Sequence, residues 1–270
     1  MVKLLEDSTE SSRTGAQSLS RALGLLKLVS TFNLTGARLS DIVSLSGLAK
    51  PTVHRLLSEL LASGLLMRDD QKLYRLGNFA HELGVIASSQ FKIRDVCQCL
   101  LAELAGETGA TAYLKVRSGQ DVFCLDIASR NDKAWSSRGS RVALGVGACG
   151  MAILSFLPEQ ERLIAMQGST SQPGMSAPLH LEKLLFDVEQ TRHNGYSFSE
   201  GDVVPGVTAA AIPIFDPVGT PVVAVSLAMP SVSWTDGTRK KAIGSLLSTA
   251  AKMRRDLVNA QALVQPRLQQ

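Results

Sequence analysis

Lys50, Thr52, His54, Arg55 and Ser58 fall within one short stretch of the chain. Together they carry the donors, acceptors and positive charge that read a nucleic-acid groove. Arginine and lysine can pair with O6 and N7 of guanine, and hydroxyls can reach bases or phosphates. A second group could do different chemistry. The run Gly145-Val146-Gly147-Ala148-Cys149-Gly150 opens a predicted helix, where backbone N–H groups and the positive end of the dipole suit a small carboxylate. Cys149 within it could act as a nucleophile, since a thiol at a helix N-terminus can have a lowered pKa. Glu200, Asp202, Thr208, Ala209 and Ser226 lie on later segments that a fold could bring to the same place.

The first group needs a helix to present it. In KPTVHRLLSELLASG the residues Val53, Leu56, Leu57, Leu60 and Leu61 recur at helical spacing, which is one buried stripe. The polar residues lie off that stripe, in the first turns. A shorter helical pattern starts at Leu39. Gly47 supplies a turn, and Pro51 takes a first-turn position where a missing N–H costs nothing. Two helices so joined form a helix-turn-helix whose second helix enters the major groove. The other reading is an ordinary αα-hairpin in a helical core. Leu65–Arg68 and Leu73–Gly77 then read as strands around a turn-rich tip, a β-hairpin. Placed after a recognition helix it is a wing, with Arg68, Lys72 and Arg75 able to reach phosphates. Arg38 and Ser40, at the start of the first of the two helices, join the candidate DNA contacts. Upstream, Leu19, Ala22, Leu23, Leu26 and Val29 form another stripe, with Ser18 as N-cap. A winged helix-turn-helix is therefore expected over residues 18–77.

Charge supports this. Residues 18–77 hold eight Lys/Arg against four Asp/Glu, which is the whole +4 of the chain, while residues 93–260 hold sixteen of each sign. A cationic module on a neutral body suits DNA, where Lys and Arg displace condensed counterions.

The second group has competitors. Gly145 to Gly150 matches GxGxxG, but a dinucleotide site needs an acid about 20 residues on, and none occurs between Glu161 and Glu182. The glycines could also serve only close helix–sheet packing. For Cys149 a catalytic role wants a base, and no histidine lies within 30 residues, so a pocket-lining or buried thiol is the better reading. Glu200 and Asp202 could bind a ligand hydroxyl or be solvated turn residues. Strand alternation turns Thr208 and Ala209 to opposite faces, and Ser226 lies among the small residues Ala224 and Ala228. A backbone cradle at Gly147–Gly150, aided by Glu200, Asp202, Thr208, Ala209 and Ser226, is thus the candidate effector site.

At 270 residues the chain has room for two cores. No apolar run is long enough to span a bilayer. The start, MVKLLEDSTESSRTG, has early acids and no apolar core, which is not a signal-peptide pattern. Residues 1–17 are expected to be a disordered tail. Cys97, Cys99, Cys124 and Cys149 lack framework spacing and read as reduced cytosolic thiols, which places the chain in the cytoplasm. His54, His81, His180 and His193 are scattered, so no metal and no cofactor is expected. A linker helix capped by Asn78 is expected over 78–92. An effector domain follows over 93–263. Its parts are a helix from Ile93 ended by Gly109, a hairpin of Thr111–Arg117 with Asp121–Ala128, helices near 148–157, 159–166 and 181–193, a hairpin of 208–215 with 220–228, and a last helix from Asp236 to Ala262. On that last helix Ile243, Leu246, Leu247, Ala250, Met253 and Leu257 form the buried face. Helices packed on an antiparallel sheet make an α+β fold.

Several stretches resemble the IclR family of transcriptional regulators: SLSRALGLLKLV, LAKPTVHRLLSELLASGLL, the wing ending YRLG, the helix start at Gly147–Ala152, and NGYSFSEGD followed by GVTAAAIPIFDPVGTPVVAVSLA. The resemblance spans about Ser18 to Leu263. It implies a winged helix-turn-helix that also dimerises, a linker helix, and a C-terminal GAF-like domain with its effector pocket at Ala148 and Cys149. Many members carry a cysteine where this chain has Ala209. The resemblance further implies double-stranded operator DNA, a small organic acid and a second copy or a dimer of dimers as partners, with no membrane. Two rivals remain at this level. One is an enzyme with a DNA-binding appendage, and the other is a ligand-binding module whose winged domain only dimerises.

Overall fold

The structure is a computed structural model and describes residues 6–32, 35–130, 134–169 and 181–262. Contacts divide the chain into two compact units, Met1–Gln90 and Phe91–Gln270.

The first unit contains α1 (Glu6–Thr31), α2 (Leu39–Ser46), α3 (Lys50–Ala62), β1 (Leu66–Arg68), β2 (Tyr74–Leu76) and α4 (Asn78–Ser88). Gly47 ends α2 with φ +64, the left-handed turn that glycine adopts without a Cβ clash. α3 opens with Pro51 in its first turn. Val53, Leu56, Leu57 and Leu60 of α3 pack with Leu25 and Val29 of α1, Ile42 of α2, and Leu66 and Tyr74 of the hairpin. β1 and β2 pair antiparallel from Leu66↔Leu76 to Arg68↔Tyr74, and Ala37 bridges to Tyr74.

Several expectations need correction. The tail expected over 1–17 is helical from Glu6, and residues 1–5 lie outside the described residues. Residues 6–17 contain no proline and one glycine, so a helix anchored by its buried turns extends backward cheaply. Ser18 is therefore inside α1 and caps nothing. Leu19 and Leu23 are exposed, and Leu25 and Val29 take the buried positions. Gly77, not Asn78, is the N-cap of α4.

The second unit contains α5 (Ile93–Thr108), β3 (Thr111–Ser118), β4 (Asp121–Ala128), β5 (Arg141–Ala143), α6 (Gly147–Ser155), α7 (Glu159–Ser169), α8 (Leu181–Asn194), β6 (Ser197–Glu200), β7 (Val207–Phe215), β8 (Pro221–Pro230) and α9 (Asp236–Asn259). Its sheet has the order β5-β4-β3-β8-β7-β6, with every neighbouring pair antiparallel. Alternation sorts side chains by size. Leu114 on β3, Ile212 and Ile214 on β7, and Val223, Val225 and Leu227 on β8 face α5 and α9. Ala211 and Ala224 face α6 and α8. α9 is capped by Thr235, whose hydroxyl accepts from Thr238 N–H. Leu247, expected in its buried face, is exposed, while Ala242 and Thr249 are buried.

Candidate functional site

In the first unit, burying the stripe of α3 leaves Lys50, His54, Arg55 and Ser58 on one exposed face, with Thr52 half-buried beside them. The Ser58 hydroxyl donates to His54 C=O at 3.0 Å within the helix. Arg38, which is the N-cap of α2, and Ser40 are exposed as well. Ser40 donates to Asp41 at 3.2 Å.

The wing separates its three basic residues. Asp69 organises the tip: one carboxylate oxygen accepts from Gln71 N–H at 3.0 Å and Leu73 N–H at 2.9 Å. Its other oxygen holds Arg75 Nε at 2.8 Å. Arg75 also donates to Thr35 C=O at 3.3 Å. The Arg75 guanidinium and the N–H groups at Leu73 and Gln71 hold the Asp69 carboxyl below its usual range. Arg75 is thus a strut of the wing. Arg68 donates to Lys72 C=O at 3.2 Å and lies over the Tyr74 ring. Lys72, at φ +63, is an exposed cation at the tip, beside the exposed Asp70.

In the second unit a cavity opens on the small-residue face of the sheet, with about 540 Å³ of empty space including its mouth. β3 contributes Tyr113 and Lys115 to its lining, and the loop after β4 contributes Trp135 and Ser136. Val146 and the first turn of α6, Gly147, Ala148 and Cys149, form another wall. Ser199 of β6, Val203 and Val204, Val207 and Ala209 of β7, and Ser226 and Ala228 of β8 close the rest. Trp135 N–H donates to Tyr113 Oη at 2.9 Å, which fixes the loop to the sheet. Gly147 has φ +64, and a Cβ there would stand 2.6 Å from Val203 Cγ2, so only glycine fits at this edge of the cavity.

Of the nine residues expected here, the structure brings together Gly147, Ala148, Cys149, Ala209 and Ser226. The other four are elsewhere. Gly150 is a packing residue, because a Cβ on it would meet Ala143 C=O at 2.8 Å. Glu200 is exposed. Asp202 accepts from the Ser199 hydroxyl at 2.8 Å and lies 3.6 Å from Lys183, outside the lining. Thr208 points through the sheet, hydrogen-bonded to the Ser231 hydroxyl at 2.8 Å, as alternation from Val207 and Ala209 requires. Sequence reasoning missed Lys115 and Tyr113. They stand two apart on a strand, which gave the signal of a shared face but not which face.

Burial pushes the Cys149 thiol up, against smaller opposing effects of Lys115 and a hydrogen bond from Ser226. A neutral, enclosed thiol lacks the electropositive, accessible setting of a nucleophile. On β4, Asp126 is buried and bridged by Arg138 at 2.6 Å and Arg94 at 3.2 Å. Among the described residues no cluster of three or more His, Cys, Asp or Glu side chains could hold a metal. His180 lies outside the described residues. Among the described residues no helix is long and apolar enough to cross a membrane.

Known proteins share this order of units. The family model described as the IclR helix-turn-helix domain matches residues 18–70, and that described as bacterial transcriptional regulator IclR C-terminal matches residues 85–255. The chain is similar to the HTH-type transcriptional regulator KipR of Bacillus subtilis, at 31% identity over 66% of this chain and 72% of KipR. It is similar to the HTH-type transcriptional regulator XynR of Escherichia coli, at 30% identity over 78% of this chain and 85% of XynR. In fold it matches an IclR homologue from Microbacterium hydrocarbonoxydans complexed with 4-hydroxybenzoate, with a TM-score of 0.69, 21% identity, and coverage of 90% of this chain and 99% of that one. With both units matched in order, the chain belongs to the IclR family of bacterial transcriptional regulators.

Proposed function

We propose that the N-terminal unit holds operator sequences in double-stranded DNA and that the C-terminal cavity takes a small organic carboxylate that controls this hold. The observation that carries the reading is α3, which buries Val53, Leu56, Leu57 and Leu60 on one face and presents Lys50, His54, Arg55 and Ser58 on the other. A helix of this layout fits the major groove, and Arg38, Arg68 and Lys72 supply positive charge for flanking phosphates. The cavity supports the second half of the reading. It combines apolar walls with a few polar groups, as ligand sites do. The start of α6 offers N–H groups without intrahelical acceptors. The related fold complexed with 4-hydroxybenzoate carries an acid of this broad kind.

The protein works in the cytoplasm, where it meets DNA, and serves a catabolic pathway whose acid it senses. It acts as a homodimer or a dimer of dimers. Support comes from α4, which has no buried residue and leaves Phe79, Leu83, Val85 and Ile86 exposed. Such an apolar face calls for a partner. An enzymatic reading built on Cys149 has no support in the neutral, buried state of that thiol.

The test is a gel shift on DNA upstream of the genes beside its own, with and without an acid found by thermal-shift screening, on the wild type and Ala148→Phe. Ala148 lines the cavity, so a phenyl group there should fill it. DNA binding should persist and the acid response should vanish, with circular dichroism unchanged. A response retained at the same acid concentration would place the effector elsewhere.

A further inference from the structure

Lys115 sits in the middle of β3 between Cys124 of β4 and Ala224 of β8. These small neighbours let its stem lie along the sheet, with Nζ 5.6 Å from the centre of the Tyr113 ring. It is half-buried, and it is the sole charged side chain among the described residues lining the cavity. Among the described residues no carboxylate stands within ion-pairing distance of it. The buried acid on the adjoining strand, Asp126, is held by Arg94 and Arg138. Asp202 is held by Ser199 and Lys183. Among the described residues the cavity is therefore mainly apolar, with one positive charge that has no counter-ion.

We propose that this cavity selects a monoanionic carboxylate on an apolar body, and that Lys115 is the residue that reads the charge. The proposal rests on the reading of this cavity as the effector site. A half-buried ammonium without a counter-ion gains most from an arriving anion. Lys115 brings one positive charge to the lining, which balances one carboxylate and not two. The valines at 146, 203, 204 and 207 and the rings of Tyr113 and Trp135 then face the rest of the ligand. A second carboxylate would lose its water against those walls with no second cation among the described lining residues to meet it. An amine would meet like charge.

Calorimetric titration of the full chain with benzoate, isovalerate, benzamide and succinate tests this. Benzoate and isovalerate should bind. Benzamide keeps the ring and loses the charge, so it should bind at least roughly tenfold more weakly than benzoate. Succinate should bind more weakly still. Lys115→Met should weaken benzoate by roughly 10- to 100-fold and leave benzamide unchanged, whereas Lys115→Arg should keep most of the benzoate affinity. Should Lys115→Met fail to fold by circular dichroism, the wild-type ranking and Lys115→Arg still decide. Equal affinity for benzoate and benzamide would overturn the proposal, as would a parallel loss of both in Lys115→Met. Tightest binding of succinate would overturn the ligand class and leave an acid effector in place. No heat and no thermal shift with any of the four would overturn this proposal together with the acid-effector reading.

Discussion

Arg55→Ala and Arg75→Ala should have opposite consequences, although both arginines lie in the same basic unit. Arg55 is exposed on α3, and among the described residues its side chain makes no hydrogen bond or ion pair. Alanine is at least as good a helix former, so stability should move by no more than about 0.5 kcal/mol. If Arg55 pairs with a guanine, discrimination at that base should fall by about 1–3 kcal/mol, roughly 5- to 150-fold in affinity. If it contacts a phosphate instead, operator and random DNA should weaken together, and the salt slope should drop by about 0.9. Arg75 is engaged by Asp69 and Thr35, so its loss should lower the melting temperature and loosen the wing. The Asp69 carboxyl is depressed below 3.8. Its contribution is thus fully present above that pH and is lost as pH falls through the lowered value. The assays are thermal unfolding of both variants and gel shifts over a salt series on operator and scrambled DNA. Unchanged DNA affinity in Arg55→Ala would remove Arg55 from the interface. An unchanged melting temperature at neutral pH in Arg75→Ala would refute the strut.

Two further outcomes follow from buried groups. Burial pushes the Cys97 thiol up to about 12 and Cys124 to about 11, and raises Cys149 as well, while Cys99 is exposed. At pH 8 a thiol-specific reagent should therefore label one cysteine of the native chain quickly and the others only on unfolding; mass spectrometry finding rapid label on Cys149 would contradict the enclosed thiol. Asp126→Asn should destabilise the second unit by about 1–3 kcal/mol, discounted because Arg94 and Arg138 stay half-exposed and rehydrate. Unchanged denaturant midpoints would show that the two bridges contribute nothing measurable.

The long, strongly periodic segments were legible in the sequence. α3, α5 and the β7–β8 hairpin lie close to where the spacing of their apolar residues puts them. β5 and β6 were not legible, because RVA and SFSE are too short to show an alternating pattern and owe their pairing to β4 and β7. On α1 the leucine-rich pattern fits more than one face, and contacts with α3 choose Leu25 over Leu23. The cavity shows the same limit in a sharper form. A period of two says that Tyr113 and Lys115 share a face and that Thr208 and Ala209 do not. Which face is hollow depends on where α6 packs, and that is a long-range contact. The glycine-rich start of α6 was visible, yet its two later glycines differ in role: Gly147 borders the cavity and Gly150 clears Ala143.

The sorting of side chains by size across β7 and β8 bears on how the cavity can diversify. Leu227, Val225 and Val223 belong to the core shared with α5 and α9, where truncation costs about 2–5 kcal/mol, a large part of a typical domain's 5–15 kcal/mol. Selection should hold these positions nearly fixed. Their immediate chain neighbours Ser226 and Ala228 border the cavity, where a changed side chain alters the shape of the chamber and removes little buried apolar surface. Adjacent codons therefore sit under opposite evolutionary constraint. A lineage can reshape the cavity by substitutions at alternate positions of one strand, while the residues between them keep the fold intact.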